Sequence, residues 1–187
     1  MVRKLKMHEQ KLLKKTDFMQ WEVDQQGRQG EMLRKFHVTK REHYALYNRL
    51  AAEVRAIAEL IKNLPPGDLK KNEFTKQLLD RFYAAGVIPT ADGLERLSKK
   101  IFSVSGASFA RRRLPVVMKN SGMVDSVKTA SDLVEQGHVR VGTKLVTDPA
   151  FMVTRLHEDT VTWTNASKIK RHVLDYNNTR DDFDLMI

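Results

Sequence analysis

The sequence predicts an α+β protein, in which N-terminal helices pack on a small α-α-β domain that is followed by a C-terminal tail. Apolar residues recur every three or four positions in the first hundred residues, which is typical of amphipathic helices. From residue 105 onward, two helical patterns precede short segments in which polar and apolar residues alternate, as they do in strands. At 187 residues and 41% hydrophobic content, the chain can form one ordinary domain with helical extensions.

We divide the chain into a basic arm (1–38), a helical region (39–104), the α-α-β domain (105–166) and the tail (167–187). In the arm a short helix is expected over His8–Lys15, and Gln25–Gly30 breaks any regular pattern. Because its aromatic residues are sparse, the arm cannot fold alone, so it either wraps its own domain or docks onto a partner. The candidate docking residues are Leu12, Leu13, Phe18 and Trp21.

The helical region begins with a capping box. The Thr39 hydroxyl is expected to accept from a free amide, while Glu42 reaches back to the cap. The helix ends at Pro65–Gly67, because proline has no amide hydrogen and disfavours the helical conformation in the residue before it. The apolar stripe of this helix consists of Leu46, Leu50, Val54, Ile57, Ile61 and Leu64.

Two further helices are predicted before residue 105. One covers Lys70–Ala85 and stops at Gly86, and a shorter one covers Ala91–Lys100. Their apolar residues are Phe74, Leu78, Leu79 and Phe82 in the first helix, and Leu94 and Leu97 in the second.

The first helix of the α-α-β domain carries the run Arg111–Arg113 and is expected to end at Gly122. Pro115 removes an amide donor, so this helix either starts or kinks there. Three consecutive arginines point around more than half of a helix, because each residue advances by about 100°. We therefore expect one of them to form a salt bridge or bury its stem, and the others to face water or phosphate.

The second helix of this domain is capped by Asp125 or Ser126 and ends at Gly137. Its first turn offers a hydroxyl, the Lys128 ammonium and free amides, which suits either a phosphate or a plain helix cap. Short strands are predicted over His138–Val141, Lys144–Val146, Phe151–Val153 and Thr160–Trp163.

The composition favours a polyanionic partner. The formal net charge is +10, and Lys and Arg cluster in Arg3–Lys15, Arg34–Arg41 and Arg96–Lys119. A uniformly solvated basic surface would explain any single cluster, but several clusters favour binding to a phosphate backbone. His138 and Arg140 extend the basic surface at the start of the first strand, where His138 is either a satisfied structural residue or an RNA contact.

Other classes of function are disfavoured by the same composition. The chain has no cysteine, which excludes disulfides and cysteine-bound zinc. No apolar run reaches the roughly 20 residues that span a bilayer. The chain has no glycine-rich phosphate loop and no convincing nucleophile–base pair, so we expect no enzymatic activity, cofactor, metal or small-molecule substrate.

Several short stretches together carry a resemblance to a known family. They are Arg112–Leu114, Ser126–Ala130, Gly137–Val141 and Asp148–Pro149. These stretches resemble the RNA-binding domain of the small-subunit ribosomal protein four family. That family places its RNA contacts on the two helices and on the loop into the hairpin. The candidate RNA-binding residues are Arg111, Arg112, Arg113, Lys119, Ser126, Lys128, His138, Arg140 and Lys144.

This chain departs from the family pattern at two places. Many bacterial members have arginine where Val127 stands, and the usual Asn-Gly turn of the hairpin is replaced by Gly142-Thr143. Outside the domain, the stretches Arg3–Lys6, His8–Lys15 and Ser167–Leu174 resemble one eukaryotic branch of the family, the ribosomal-protein-four-like subunits of the U3 small nucleolar ribonucleoprotein.

The resemblance to this branch implies a nucleolar assembly factor that promotes pairing of U3 snoRNA with pre-ribosomal RNA in the small-subunit processome. It implies an acidic scaffold subunit and a Brix-domain subunit as protein partners, with the arm as docking element. Three alternatives stay open: an RNA-modifying enzyme or tRNA synthetase that uses this domain for docking, a protein of the mature small ribosomal subunit, and a protein scaffold without RNA contact.

Overall fold

A computed structural model describes residues 4–13, 28–65, 68–90 and 103–179, and the fold is α+β as expected. Across these residues, no helix has the length and apolar character to cross a bilayer. The helices are α1 (Met7–Leu13), α2 (Arg28–Lys35), α3 (Arg41–Lys62), α4 (Leu69–Ala84), α5 (Gly106–Ala110), α6 (Leu114–Asn120), α7 (Val127–Glu135), α8 (Arg155–Glu158) and α9 (Lys168–Tyr176). The strands are β1 (Val139–Val141), β2 (Lys144–Leu145) and β3 (Val161–Trp163).

Helix α2 was not predicted, because Gln25–Gly30 reads as a break. The helix nevertheless runs through Gly30, where a Cβ would meet nothing within 4 Å. Met32 and Leu33 of this helix pack against the core that also buries Phe36. Packing of these apolar side chains therefore outweighs the weak helix propensity of glycine.

The start of helix α3 and its buried face both differ from the prediction. Its cap is Lys40, which makes no side-chain capping bond, so the predicted capping box is wrong. Leu46 and Ile57 of the predicted stripe are 50% and 45% exposed. The buried face is turned toward smaller and aromatic residues, and consists of Tyr44, Tyr47, Ala51, Val54, Ala58 and Ile61.

Helix α4 follows the prediction closely. Asp68 caps it by accepting a hydrogen bond from the Lys70 amide at 3.0 Å. It ends before Gly86, whose φ of +74° is a left-handed conformation that glycine adopts without strain. The predicted helix Ala91–Lys100, like Phe18 and Trp21, lies outside the described residues.

The predicted arginine-bearing helix is two helices, and the arginines lie in the link between them. Helix α6 starts at Leu114 with Pro115 in its first turn, where an amide hydrogen is not needed. Every residue of Leu114–Met118 is buried. Helix α6 accordingly lies between two hydrophobic cores: Val116 packs with the N-terminal helices, whereas Leu114, Val117 and Met118 pack with α7 and the sheet.

The sheet is antiparallel with the strand order β2-β1-β3. Phe151–Val153, predicted as a strand, forms only an isolated bridge between Met152 and Arg113. Two backbone hydrogen bonds flank the bridge, from Leu114 to the Phe151 carbonyl and from Val153 to the Arg112 carbonyl, both at 2.8 Å. This pairing connects the start of α6 with the chain before α8. Helix α8 was also not predicted.

Residues 168–176, assigned to the tail, form helix α9. Ser167 caps the helix by accepting from the Ile169 amide at 3.2 Å, and it is 1% exposed. The helix itself has no buried residue. The buried cap therefore attaches the start of α9 to the domain, while Ile169 and Leu174 are half-buried.

Candidate RNA interface

The three arginines of the run lie in very different environments. Arg111 is exposed, and no other described residue holds its guanidinium. The Arg112 side chain is 11% exposed, and Arg113 is 2% exposed. The expectation that Arg112 and Arg113 join Arg140 in a surface for phosphates therefore disagrees with their positions in the structure.

Arg112 is bound within the fold. Its Nε donates to the Val153 carbonyl at 2.9 Å, and its Nη1 and Nη2 donate to Glu158 Oε2 at 3.1 and 3.0 Å. Its guanidinium also lies against Gly86, since a Cβ built there would be 2.6 Å from Arg112 Cζ. Arg112 thus connects the end of α4 with the chain before α8, and protein groups already bind the guanidinium that was predicted to contact RNA.

Arg113 is a buried cation without a carboxylate partner among the described residues. Its Nη1 lies 3.4 Å from the Tyr47 hydroxyl, and its Nε has no hydrogen-bond partner. Burial, followed by the positive charge of Arg113, lowers the pKa of His43 on α3 below its ordinary value of 6.5. Arg113 therefore acts on the electrostatics of the interior, and its burial leaves no exposed guanidinium for the predicted RNA contact.

A fourth arginine, which the sequence did not single out, makes the same kind of connection. Arg155 Nε donates to the Tyr83 carbonyl at 2.9 Å, and its Nη2 donates to the Ile88 and Pro89 carbonyls at 3.0 and 3.1 Å. Its guanidinium carbon lies 4.2 Å from the centre of the Tyr83 ring, a cation–π distance. No local sequence signal marks Arg155, because all its partners lie 66 to 72 residues away.

The start of α7 is built as a helix cap. Ser126 Oγ accepts from the Thr129 amide at 3.1 Å and lies 2.7 Å from the Thr129 hydroxyl. The Ser126 hydroxyl therefore caps the helix. Lys128, in the same turn, is exposed, and no described residue binds its ammonium group.

Lys119 and Lys128 lie on either side of the loop that connects α6 with α7. Lys119 lies in the last turn of α6 and Lys128 in the first turn of α7, and these two helices pack against each other. Lys144 is exposed on the hairpin after Gly142, whose φ of +59° forms the turn. We refer to the exposed cations of this domain that no described residue binds as the open cations. They are Arg111, Lys119, Lys128 and Lys144.

Arg140 lies on the outer face of β1, and His138 immediately precedes the strand. The neighbouring Val139 and Val141 are buried, so alternation along the strand places His138 and Arg140 on the opposite face. Arg140 Nε donates to the Thr162 hydroxyl at 3.0 Å, a neutral partner that leaves the arginine charge uncompensated. His138 Nδ1 lies 3.1 Å from Ser167 Oγ, so the structure gives His138 a partner inside the domain.

The candidate interface is defined by its charged side chains. Within the described ranges, no three His, Asp or Glu side chains come together as a metal site. The open cations and Arg140 can each bind a phosphate oxygen, and arginine planes can also stack on unpaired bases. Such a surface suits a nucleic acid backbone.

Comparisons with known proteins identify the family of the chain. The family model of the S4 domain matches residues 112–161, and the model of the ribosomal protein S4/S9 N-terminal domain matches residues 4–103. The chain is 73% identical to the Caenorhabditis elegans U3 small nucleolar ribonucleoprotein protein imp3 over 186 residues, 100% of both chains. It is 50% identical to the Homo sapiens U3 small nucleolar ribonucleoprotein protein IMP3, over 99% of both. Similarity to the small ribosomal subunit protein uS4 of Sulfurisphaera tokodaii is lower, 24% over 75% of this chain and 77% of that one.

Proposed function

Since the chain belongs to the family of the U3 small nucleolar ribonucleoprotein protein IMP3, we propose that it binds RNA as an assembly factor in early ribosome biogenesis. Its action is to promote pairing of U3 snoRNA with pre-ribosomal RNA in the nucleolus, ahead of processing of the small-subunit RNA. The protein partners are an acidic scaffold subunit and a Brix-domain subunit of the same particle.

The observation that carries this proposal is the set of open cations. They lie on α6, on α7, on the hairpin and on the link before α6, and no described carboxylate neutralises them. An uncompensated cation on a folded scaffold costs little in water and gains free energy when it displaces counterions from a phosphate backbone. Arg112 and Arg155 bind carbonyl and carboxylate groups of the protein itself, whereas the open cations have no described partner and are available for RNA.

Pairing of two RNAs requires charge screening and no catalytic group. The phosphates of U3 snoRNA and of the pre-ribosomal RNA repel each other, and a cationic surface that contacts both lowers this repulsion. Arg140 and the lysines can bind either strand through its backbone, without reading its sequence. The specificity of the duplex then comes from base pairing itself.

The alternatives are less well supported. A mature ribosomal protein would be expected to resemble uS4 at least as strongly as it resembles the U3 proteins, whereas the U3 relatives are about twice as similar or more. An RNA-modifying enzyme would need a catalytic domain beside the S4 domain, and the relatives that match the whole chain are named as ribonucleoprotein components. A protein scaffold whose basic charge serves only an acidic partner would keep its RNA affinity when the open cations are removed, so the charge-removal test below separates it from the proposal.

Helix α1 is the element that we propose for docking onto a protein partner. It contains no buried residue, and Leu12 and Leu13 are each 50% exposed. Exposed leucines on a short helix favour insertion into an apolar groove of another protein. The predicted docking residues Phe18 and Trp21 belong to the same proposal, although they lie outside the described residues.

The proposal is tested with a variant in which all four open cations become alanine. Affinity for U3 snoRNA, and the rate at which U3 snoRNA anneals to a complementary pre-ribosomal fragment, are measured across a salt series. Each lost phosphate contact should lower the slope of log K against log salt by about 0.7, so four contacts lower it by up to about 2.8. The matched control removes four exposed cations of the helical region, namely Lys62, Lys70, Lys76 and Arg81.

We expect the control variant to keep both the salt slope and the annealing rate. Equal losses in both variants would reduce the effect to net charge and would refute a defined interface. In cells, the protein should sediment with precursor particles and be absent from translating ribosomes. Its presence on translating ribosomes would instead support the mature ribosomal protein.

A further inference from the structure

Helix α9 follows the last strand and carries none of the open cations. It is nevertheless attached to the sheet face that carries Arg140. Ser167, which caps α9, is 1% exposed, and its Oγ lies 3.1 Å from Nδ1 of His138, the residue just before β1. Thr164, just before the cap, donates its amide to the His138 carbonyl at 3.0 Å. Since His138 immediately precedes β1 and lies two residues from Arg140, on the same side of the chain, α9 begins beside Arg140.

One face of α9 combines cations with an exposed aromatic ring. Lys168, His172 and Tyr176 are spaced four residues apart and therefore form one row along the helix, with about 6 Å between neighbours. Arg171 flanks this row. Lys168, Arg171 and His172 are exposed without a described partner, and Tyr176 is 83% exposed. We call these four residues the α9 face.

Folding alone does not explain the α9 face. No residue of the helix is buried, and Lys170 on another side already binds the Asn165 side chain at 2.8 Å. A solvated helix end needs no exposed tyrosine in line with two basic residues. Tyr176 lies at the end of the row, next to the exposed carboxylate of Asp175. Cations that bind phosphates, together with a ring that stacks on unpaired bases, are a common arrangement for RNA.

We propose that the α9 face is a second RNA-binding element, which holds a single-stranded segment next to the Arg140 side of the sheet. This inference rests on the proposed function, because it extends the same cationic surface beyond the α-α-β domain. RNA fits better than an acidic protein segment, since an acidic segment would use Lys168 and Arg171 but would gain little from stacking on Tyr176.

The test uses the full-length chain and a fluorescently labelled single-stranded RNA, with binding followed by anisotropy across a salt series. K168A/R171A removes two phosphate contacts and should lower the salt slope by about 1.4, which corresponds to roughly 14-fold weaker binding at about 0.15 M salt. Y176L keeps an apolar side chain but loses the ring, and should weaken binding about fivefold or more with an unchanged slope.

The matched control is K70A/K76A, which removes two exposed charges from α4. Circular dichroism should show that all variants keep their helix content, because the substituted side chains of α9 are exposed. If K168A/R171A and K70A/K76A behave alike, the α9 face is not an RNA site. Unchanged RNA affinity combined with weaker binding of polyglutamate would likewise overturn the inference, in favour of an acidic protein or of the chain's own acidic end.

The two proposals fail in distinguishable ways. If the wild-type chain shows no salt-dependent RNA binding, the proposed function fails and the α9 proposal fails with it. If the wild type binds RNA and the open-cation variant loses affinity while K168A/R171A does not, only the α9 proposal is refuted.

Discussion

Arg112 and its neighbour Arg111 provide a direct test of the distinction between a structural and an RNA-binding arginine. Arg112→Ala removes three hydrogen bonds and leaves the carbonyl of Val153, a residue that is 1% exposed, without its partner. A buried hydrogen bond from a charged donor contributes about 1.5–3 kcal/mol. The ion pair adds only about 0.5–1 kcal/mol, because Glu158 is 41% exposed and partly screened.

We therefore expect Arg112→Ala to lower the free energy of unfolding by about 2–4 kcal/mol, mainly through the lost bond to Val153. For a chain of this size, a loss of about 3 kcal/mol corresponds to a fall in Tm of roughly 6–12 °C. The measurements are urea unfolding followed by circular dichroism, and calorimetry. The double variant with Glu158→Gln should show a coupling energy of about 0.5–1 kcal/mol between the two side chains.

Arg111→Ala is the matched control, since it removes the same side chain one residue earlier on the exposed surface. Its stability should stay within about 0.5 kcal/mol of the wild type, while the RNA salt slope falls by about 0.7. The reasoning is refuted if Arg112→Ala is as stable as Arg111→Ala and shows the same loss of RNA affinity, because Arg112 would then be a contact and not a structural residue.

Three further predictions concern the same scaffold. Gly86→Ala places a Cβ 2.6 Å from Arg112 Cζ on a residue with a φ of +74°. It should lower the free energy of unfolding in urea by about 2–3 kcal/mol. The loss should be smaller in combination with Arg112→Ala, which removes the clash. Burial, followed by the Arg113 charge, lowers the pKa of His43 in the folded chain. The unfolded chain therefore binds a proton at His43 more tightly than the folded chain does. As a result, the stability that neutral His43 provides is present above about pH 6.5 and is lost below it. His43→Gln should flatten that fall between about pH 7.5 and 5.5, and a parallel pH profile would contradict the assignment. Ser167→Ala should cost about 1–2 kcal/mol and speed amide exchange throughout α9, whereas unchanged exchange would show that the cap does not hold the helix.

Local sequence rules predicted the helix ends well. Gly86, Gly122 and Gly137 were each expected to terminate a helix, and all three have a positive φ, between +74° and +78°. Pro115 was expected to mark a helix start or a kink, and α6 begins one residue before it. These features depend on the conformational preference of one residue, and a single sequence contains that information.

Features that depend on distant residues were not predictable in the same way. The role of Arg113 depends on Tyr47, 66 residues earlier, and that of Arg112 on Glu158, 46 residues later. Nothing near either arginine distinguishes it from Arg111, which remains exposed. The buried face of α3 was misassigned for a related reason, since its inner residues are partly alanines, whose burial depends on how closely a neighbouring helix approaches.

That close approach is visible at Gly106. A Cβ at this position would collide with the Asn48 carboxamide and lie 3.3 Å from the Asn48 backbone nitrogen. Only glycine therefore allows α5 to lie against α3 at this distance. The glycine is apparent in the sequence, but its purpose emerges only when the two helices are placed together.

Helix α6 belongs to both cores, and this has a consequence for any attempt to transplant the S4 domain. Cutting the chain before residue 103 would leave Val116 without its apolar neighbours, and would expose Arg113 and Arg155 where Tyr47 and the carbonyls of Tyr83–Pro89 now receive them. The S4 domain of this protein is consequently not expected to fold without the helices that precede it. A functional graft onto another protein has to carry α3 and the end of α4 with it.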